Sequence, residues 1–119
     1  MQQIKILIID DEEDFCLLMK MYFLRINCAV QTSYTLKKGL EMIDKYEPDI
    51  LFLDNNLPDG QGWMCVNDIM QKWSNIQIHL ISAFQPKTDH IIKPANLKVW
   101  EKPITLEELE EVFSKTITL

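Results

Sequence analysis

The chain has 119 residues, the length of one ordinary domain, and its net charge of -6 argues against direct binding of nucleic acid, because phosphate contacts need a basic surface. No apolar run is long enough to span a membrane, and a strand pattern begins at Ile4. We therefore expect no signal peptide, no membrane contact and a cytoplasmic protein. The three cysteines form no C-x-x-C pair, so we expect free, buried or half-buried thiols at Cys16, Cys28 and Cys65.

The first half of the chain alternates strand and helix patterns. Residues 4–9 are nearly all apolar, which predicts a strand covered on both faces, and the run ends abruptly at Asp10 and Asp11. The helix that follows should bury one apolar stripe, made of Phe15, Leu18, Met19, Tyr22, Phe23 and Ile26. Residues 28–32 predict a second strand. Residues 35–46 predict a second helix that buries Leu36, Leu40 and Ile43.

The second half repeats this alternation. Residues 50–53 predict an apolar strand that ends at Asp54, and residues 57–62 have the composition of a turn. A helix over residues 63–73 should bury Val66, Ile69, Met70 and Trp73. The remaining predicted elements are a strand at 76–81 before Ser82, a short helix at 86–92, a strand at 97–100 before Lys102, and a final helix that opens with a capping-box pattern at Thr105 and buries Leu106, Leu109, Val112, Phe113 and Ile117.

Five alternations of strand and helix predict an α/β fold with a parallel sheet and helices on both faces. Ligands of such sheets bind beyond the carboxyl ends of the strands. In this sequence those ends carry Asp10, Asp11, Asp54, Ser82 and Lys102. Polar chemistry is therefore predicted at one edge of the sheet.

Acidic side chains that converge there would repel each other. Two carboxylates 4–5 Å apart cost roughly 3–4 kcal/mol at an effective dielectric near 20. A hard divalent cation such as Mg²⁺ would offset this repulsion, and Lys102 would add a second positive charge. An aspartate can act as a nucleophile for a phosphoryl group, while a metal, a lysine and the Ser82 hydroxyl stabilise its oxygens. The site is thus suited to phosphoryl transfer.

The same motifs, in this order, resemble the response regulator receiver domain of two-component signalling, including its single-domain chemotaxis and sporulation regulators. The acids after the first strand are similar to the metal pair of that family. Residues 54–62 resemble its phosphoacceptor loop, D-x-x-x-P-x-x-x-G, with Asp54, Pro58 and Gly62 in the defined positions. Ser82 followed by Ala83 is similar to its switch hydroxyl and small residue, and Lys102-Pro103 to its lysine-proline pair. The resemblance covers the whole chain, 1–119, as one receiver domain.

The resemblance implies a flavodoxin-like (βα)5 fold, a doubly wound five-stranded parallel sheet in the order 2-1-3-4-5. It implies a regulatory phosphoacceptor rather than an enzyme, with only self-catalysed phosphoryl transfer and autodephosphorylation. Asp54 would take a phosphoryl group from a histidine kinase or a phosphotransfer protein and then control an output domain or a downstream protein. The resemblance also allows a phosphorylation-dependent dimer. The Mg²⁺ ligands would be Asp10, Asp11, Asp54 and the backbone carbonyl of Asn56. Ser82 and Lys102 would contact the phosphoryl oxygens.

Several positions depart from the family pattern. The family usually has an aromatic residue where this chain has Val99. Either Val99 packs and Trp100 fills the core, or Trp100 takes over part of the coupling role of that aromatic. Phe84 and Asn56 would border the path of the hydrolytic water. Either Phe84 slows dephosphorylation by excluding this water, or Asn56 helps to orient it. The predicted fourth helix is shortened between Pro86 and Pro94, and the two histidines, His79 and His90, are expected to be structural or on the surface.

Two other functions remain open from the sequence. One is a pseudo-receiver that serves only as a protein-binding module. The departures near Val99 keep this alternative open, whereas the full set of acidic, hydroxyl and lysine residues argues against it. The other is a phosphatase of the haloacid dehalogenase type, although residues 54–56 only half match its D-x-D motif. The chain is expected to act either as a stand-alone regulator or as the receiver part of a longer protein.

Overall fold

The computed structural model describes residues 3–83 and 97–114 of the chain. In chain order the elements are β1 (Lys5–Ile9), α1 (Glu13–Arg25), β2 (Ala29–Ser33), α2 (Leu36–Tyr46), β3 (Ile50–Asp54), β4 (Asn56–Leu57), β5 (Gly60–Gln61), a 3-10 helix (Gly62–Cys65), α3 (Val66–Lys72), β6 (Gln77–Ser82), β7 (Leu97–Glu101) and α4 (Leu106–Phe113). The strands and helices predicted within these ranges are confirmed. Most ends shift by a residue or two, and the third helix starts as a 3-10 turn.

Five of the strands form one parallel sheet in the order β2-β1-β3-β6-β7. Because β4 and β5 pair only with each other, this is the predicted order 2-1-3-4-5 of the long strands. The register aligns the carboxyl ends: Ile9 of β1 pairs with Leu53 of β3, and Asp54 pairs with Ile81 of β6. Residues that end these strands, or follow them, therefore lie along one edge of the sheet.

Helices cover both faces of the sheet, which explains why β1 and β3 are apolar on both sides. On one face α1 and α4 pack against a cluster that includes Ile6, Ile8, Cys16, Met19, Phe23, Phe52, Trp100, Leu109 and Phe113. On the other face α2 and α3 pack against a cluster that includes Leu7, Ile9, Ile43, Leu51, Leu53, Val66, Ile69 and Leu80. The successive residues of each central strand thus alternate between two cores.

Two helices begin with side chains that bind their free backbone N–H groups. Thr105 and Glu108 form the predicted capping box at the start of α4. At the start of α2, Asp59 accepts hydrogen bonds from the backbone N–H groups of Leu36 at 2.7 Å and Lys37 at 2.9 Å. Since Asp59 belongs to the loop after β3, this contact ties that loop to α2.

Two predictions about buried side chains are wrong. Leu18 is 42% exposed, because α1 turns Cys16, Met19 and Phe23 toward the sheet instead. Leu106 is 45% exposed at the first turn of α4, and Ile104, which precedes the helix, is buried at 6% exposure. Both errors come from stripes drawn too wide, because Met19 and Phe23 of α1 and Leu109 and Phe113 of α4 are buried as predicted.

The cysteine prediction is confirmed: Cys16 and Cys28 are buried free thiols, and Cys65 is half-buried and free. Within residues 3–83 and 97–114, no helix has the length and apolar character needed to cross a bilayer. Several predictions lie outside the described residues, namely those for the helix at 86–92 and for Phe84, Pro86, His90, Pro94 and Ile117.

Candidate functional site

Three carboxylates from two strand ends meet at the carboxyl edge of the sheet. One carboxylate oxygen from each of Asp10, Asp11 and Asp54 lies within 4.8 Å of the other two. The acids meet because β1, which precedes Asp10, and β3, which ends at Asp54, are direct neighbours in the sheet. The predicted convergence of these acids is confirmed.

Two of these carboxyl groups are buried, Asp10 with 0% and Asp54 with 3% exposure. Burial, together with the charge of Asp10, raises the pKa of Asp54 to about 6, against the opposing effects of Lys102 and of the Asn56 backbone N–H. Burial also raises the pKa of Asp10, although Lys102 counteracts it. The ionised pocket is therefore held at an electrostatic cost that a bound cation would relieve.

Lys102 follows the end of β7 and lies against the acids. Its backbone N–H donates to the carbonyl oxygen of Ser82 at 2.9 Å. Its Nζ lies 2.7 Å from Asp10 Oδ2 and 2.5 Å from Glu12 Oε1. The contact with Glu12 is a hydrogen bond, whereas the contact with Asp10 is an ion pair without hydrogen-bond alignment. Burial lowers the pKa of Lys102, but the bonds to both acids outweigh it and the pKa is raised.

The loop after β3 is fixed by backbone hydrogen bonds. Asn55 accepts from the N–H of Gly62 at 3.0 Å through its carbonyl and from the N–H of Trp63 at 3.2 Å through its side chain. The indole N–H of the buried Trp63 donates to the carbonyl oxygen of Leu53 at 3.1 Å. A side chain at Gly62 would collide with the carbonyl oxygen of Asp54, so this close return of the loop requires glycine.

The two remaining predicted site residues lie beside Asp54. Ser82 is the last residue of β6, one position after the register partner of Asp54, and it is 2% exposed. Asn56 is exposed, and its backbone N–H bonds to the Asp54 carboxyl group. The contribution of the Asn56 carbonyl to a metal stays a prediction.

The side chains of the pocket fit Mg²⁺. Carboxylate oxygens are the hard ligands that this ion prefers, and it retains several water molecules when bound. Asp11 is exposed, so one side of the cluster is open to solvent. No second group of at least three acidic, histidine or cysteine side chains comes together in this way among the described residues. Asp10, Asp11 and Asp54 are thus the residues that could hold the ion.

A family model for the response regulator receiver domain matches residues 6–114. The chain belongs to this family. Two relatives are longer than this chain. The regulatory protein VanR of Enterococcus faecium is 41% identical over 68 residues, covering 57% of this chain and 29% of VanR. The response regulator protein PilR of Pseudomonas aeruginosa is 26% identical over 121 residues, covering 100% of this chain and 27% of PilR. Each match thus spans less than a third of the relative's own length.

The fold of the receiver is also found in solved structures. The BeF3-activated N-terminal receiver domain of RstA from Klebsiella pneumoniae superposes with a TM-score of 0.78 at 20% identity. The superposition covers 97% of this chain and 99% of the RstA chain. At this identity the likeness demonstrates a shared fold.

The receiver has Val99 on the surface and Trp100 in the core. Val99 is 46% exposed, so the expectation that it packs is wrong, whereas Trp100 is 5% exposed and fills the core as expected. Neighbours along β7 face opposite sides of the sheet, which accounts for the difference. The idea that Trp100 replaces the coupling aromatic stays a prediction.

Two contacts were missed by sequence reasoning. The indole N–H of Trp100 donates to Nδ1 of His79 at 2.8 Å inside the core. Burial, with a smaller effect of Lys98, lowers the pKa of His79 to about 4, so the buried imidazole is neutral at pH 7. A histidine in an apolar strand could have signalled a buried partner. The second contact is the bond of Lys102 to Glu12, which the sequence presents only as one acid in a helix-starting run.

Proposed function

We propose that this receiver is a phosphorylation-switched signalling domain. Asp54 accepts a phosphoryl group from a histidine kinase or a phosphotransfer protein in a Mg²⁺-dependent reaction, and the resulting change of conformation controls an output domain or a partner protein. The observation that carries the proposal is the meeting of three carboxylates within 4.8 Å of one another, with Lys102 paired to one of them. Membership of the receiver family supports it.

Asp10, Asp11 and Asp54 would hold the Mg²⁺ ion, with the backbone carbonyl of Asn56 as a further oxygen ligand. When bound, the ion supplies positive charge that offsets the repulsion among the carboxylates and polarises the phosphoryl oxygens. The raised pKa values of Asp10 and Asp54 support this role, because a cation in the pocket would favour their ionised forms.

Asp54 would be the nucleophile. One of its carboxylate oxygens attacks the phosphorus of a phosphohistidine, so that a P–O bond forms while the P–N bond of the donor breaks and the imidazole leaves with the electron pair. Lys102 would pair with the phosphoryl oxygens, and the Ser82 hydroxyl would donate a hydrogen bond to them. Hydrolysis of the acyl phosphate by water would return the domain to its first state.

The new charge would change the contacts of the two neighbouring strand ends. A phosphoryl group adds about two negative charges at neutral pH, and it would draw Lys102 and Ser82 toward Asp54. Because the backbone N–H of Lys102 donates to the carbonyl oxygen of Ser82, the ends of β6 and β7 would shift together. Two conformers with different affinity for the phosphoryl group are sufficient for a switch.

Incubation with acetyl phosphate and Mg²⁺, followed by intact mass spectrometry, tests the proposal. We expect one phosphoryl adduct on the wild-type chain and none on Asp54→Asn or after removal of Mg²⁺ by a chelator. Asp68→Asn, at an exposed position on α3, should keep the adduct. Absence of an adduct on the wild-type chain would contradict the proposal and favour the protein-binding module. Turnover of a generic phosphate ester would favour the phosphatase instead.

A further inference from the structure

Lys102 is held by acids near the start of α1 and not by Asp54. Its Nζ lies 2.5 Å from Glu12 Oε1 and 4.6 Å from the centre of the Phe15 ring, both on the α1 side of the pocket. It also pairs with Asp10 at 2.7 Å. Within the part of the chain that the structure describes, no ion pair joins Lys102 to Asp54. A phosphoryl group on Asp54 would therefore compete with these partners for the ammonium group.

The two acids that contact Lys102 differ in the energetic cost of losing it. Asp10 is fully buried, and its Oδ1 already accepts the Glu12 backbone N–H at 2.8 Å. Glu12 has a side chain that is 61% exposed, and it receives the hydrogen bond from Nζ. A buried carboxylate that loses its partner is left uncompensated, whereas an exposed one returns to water at small cost. Glu12 is therefore the partner that Lys102 can exchange.

The Glu12 side chain has no other structural task at the helix start. Glu12 is the N-cap residue of α1, yet its side chain makes no capping hydrogen bond. Among the described residues, the hydrogen bond that its side chain makes is the one with Lys102. A change of this side chain should therefore alter the position of Lys102 without removing a cap.

We propose that Glu12 is a positioning residue that holds Lys102 away from Asp54 until an anion arrives there. The inference rests on the proposed function, because that anion is the phosphoryl group or a mimic of it. The phosphoryl oxygens compete with the Glu12 carboxylate for the same ammonium group. The affinity of the pocket for a phosphoryl mimic is then lowered by the strength of the contact that must be broken.

Titration with BeF3⁻ in saturating Mg²⁺, followed by tryptophan fluorescence or calorimetry, measures this competition. Glu12→Gln removes the charge of residue 12, while Glu12→Asp keeps the charge on a side chain one methylene shorter that no longer reaches Lys102. We expect both variants to bind BeF3⁻ about two- to five-fold more tightly than the wild-type chain, the range of one exposed ion pair. Glu13→Gln, which alters a neighbouring exposed acid, should bind like the wild-type chain.

A second measurement reports on Lys102 directly. The ¹³Cε resonance of Lys102 should shift when BeF3⁻ binds to the wild-type chain. In free Glu12→Asp it should already lie part of the way toward that bound position, and urea unfolding should show an unchanged fold.

Three results would overturn the inference. They are an unchanged or weaker BeF3⁻ affinity in both Glu12 variants, a tighter affinity in Glu12→Gln alone, and an equal gain in Glu13→Gln. The second and third results would mean that the negative charge near the pocket, and not the contact between Glu12 and Lys102, lowers the affinity for BeF3⁻. If the wild-type chain itself neither binds BeF3⁻ nor forms an adduct with acetyl phosphate, the proposed function fails. If it does both while the Glu12 variants match it, only the role of Glu12 is lost.

Discussion

Two neighbouring regions of the sheet treat buried polar groups in opposite ways. The aromatic cluster consists of Phe52, His79, Trp100 and Phe113. The acidic pocket consists of Asp10, Asp11, Asp54 and Lys102. The two regions are close in the chain. Asp54 lies two residues after Phe52, and Lys102 lies two residues after Trp100. The same strands thus carry a neutral layer and a charged layer.

The polar groups in the aromatic cluster, the imidazole of His79 and the indole N–H of Trp100, are uncharged. Phe52 stacks on the His79 ring with 4.7 Å between centroids, and the Trp100 ring lies parallel to Phe113 at 6.4 Å. The hydrogen bond from Trp100 to His79 satisfies the indole N–H, and it requires His79 to be neutral at Nδ1. The rings are buried and the indole N–H is bonded, while the proton of neutral His79 lies on Nε2, which has no hydrogen-bond partner among the described residues.

In the acidic pocket the fold keeps charges that it does not fully compensate. Lys102 pairs with Asp10, yet the pKa of both Asp10 and Asp54 remains raised by burial. Natural sequences retain such local conflicts mainly where a function needs them. The aromatic cluster is thus uncharged, and the acidic pocket beside it carries the charges that the proposed function needs.

The largest effect should come from the aromatic cluster. Trp100→Ala removes a buried side chain and also leaves Nδ1 of His79 without its donor. We expect a loss of about 3–5 kcal/mol in the free energy of unfolding, measured by urea denaturation. Trp73→Ala, at a half-buried position next to α3, is the matched control and should lose clearly less. Equal losses in the two variants would show that the aromatic cluster has no special role in stability.

In the acidic pocket, a substitution should raise the free energy of unfolding instead of lowering it. Asp54→Asn removes a buried charge while keeping the size of the side chain, so in the absence of Mg²⁺ at pH 7.5 it should raise the free energy of unfolding. The gain should be about 1–3 kcal/mol, because each unit of pKa shift corresponds to about 1.4 kcal/mol. Added Mg²⁺ should stabilise the wild-type chain more than the variant. A destabilised variant would contradict the electrostatic account of the pocket.

The two regions should also respond to pH in opposite directions. The pKa of His79 is lowered to about 4 from 6.5, so its contribution to stability is present above pH 6.5 and is lost as the pH falls toward 4. The pKa of Asp54 is raised to about 6 from 3.8, so its contribution is present below pH 3.8 and is lost as the pH rises through 6. Between pH 7 and pH 5 the two changes oppose each other.

If the carboxyl group of Asp54 is removed, the pH dependence of stability that His79 causes should no longer be opposed. When the pH of Mg²⁺-free solution is lowered from 7 to 5, Asp54→Asn should lose about 1 kcal/mol more of its free energy of unfolding than the wild-type chain. Urea midpoints at the two pH values measure this, with Asp68→Asn as the control that should follow the wild-type chain. Parallel pH profiles for wild type and Asp54→Asn would rule out the raised pKa of Asp54.

The fold and the acids of the pocket were predictable from the sequence for a common reason. In a parallel sheet all strands end at one edge, and the strand order implied by the resemblance placed β1 beside β3, so Asp10, Asp11 and Asp54 were expected to meet. The helical layers follow from the alternation of strand and helix, whereas the strand order was implied by the family resemblance. These features depend on pattern and topology, which a sequence displays directly.

The partners of individual side chains were not predictable in the same way. The contacts of Lys102 with Glu12 and of Trp100 with His79 join residues far apart in the chain, and each depends on the local direction of a side chain. The exposure of Leu18 depends on the rotation of α1 about its axis, which an amphipathic pattern fixes only to within one position. Val99 was misassigned because the side of β7 that faces solvent depends on what packs over that strand.

The smallest effect should come from another aspartate, which lies in the loop after β3. Asp59 lies five residues after Asp54, but its exposed carboxylate accepts two backbone N–H bonds at the start of α2, and these bonds lower its pKa. Asp59→Asn should therefore decrease the melting temperature slightly, whereas Asp54→Asn should increase it, although the chemical change is identical. Calorimetric scans of both variants at pH 7.5 without Mg²⁺ make the comparison. A shift of the same sign in both would mean that net charge, and not the local partners of each carboxylate, determines the stability of this edge of the molecule.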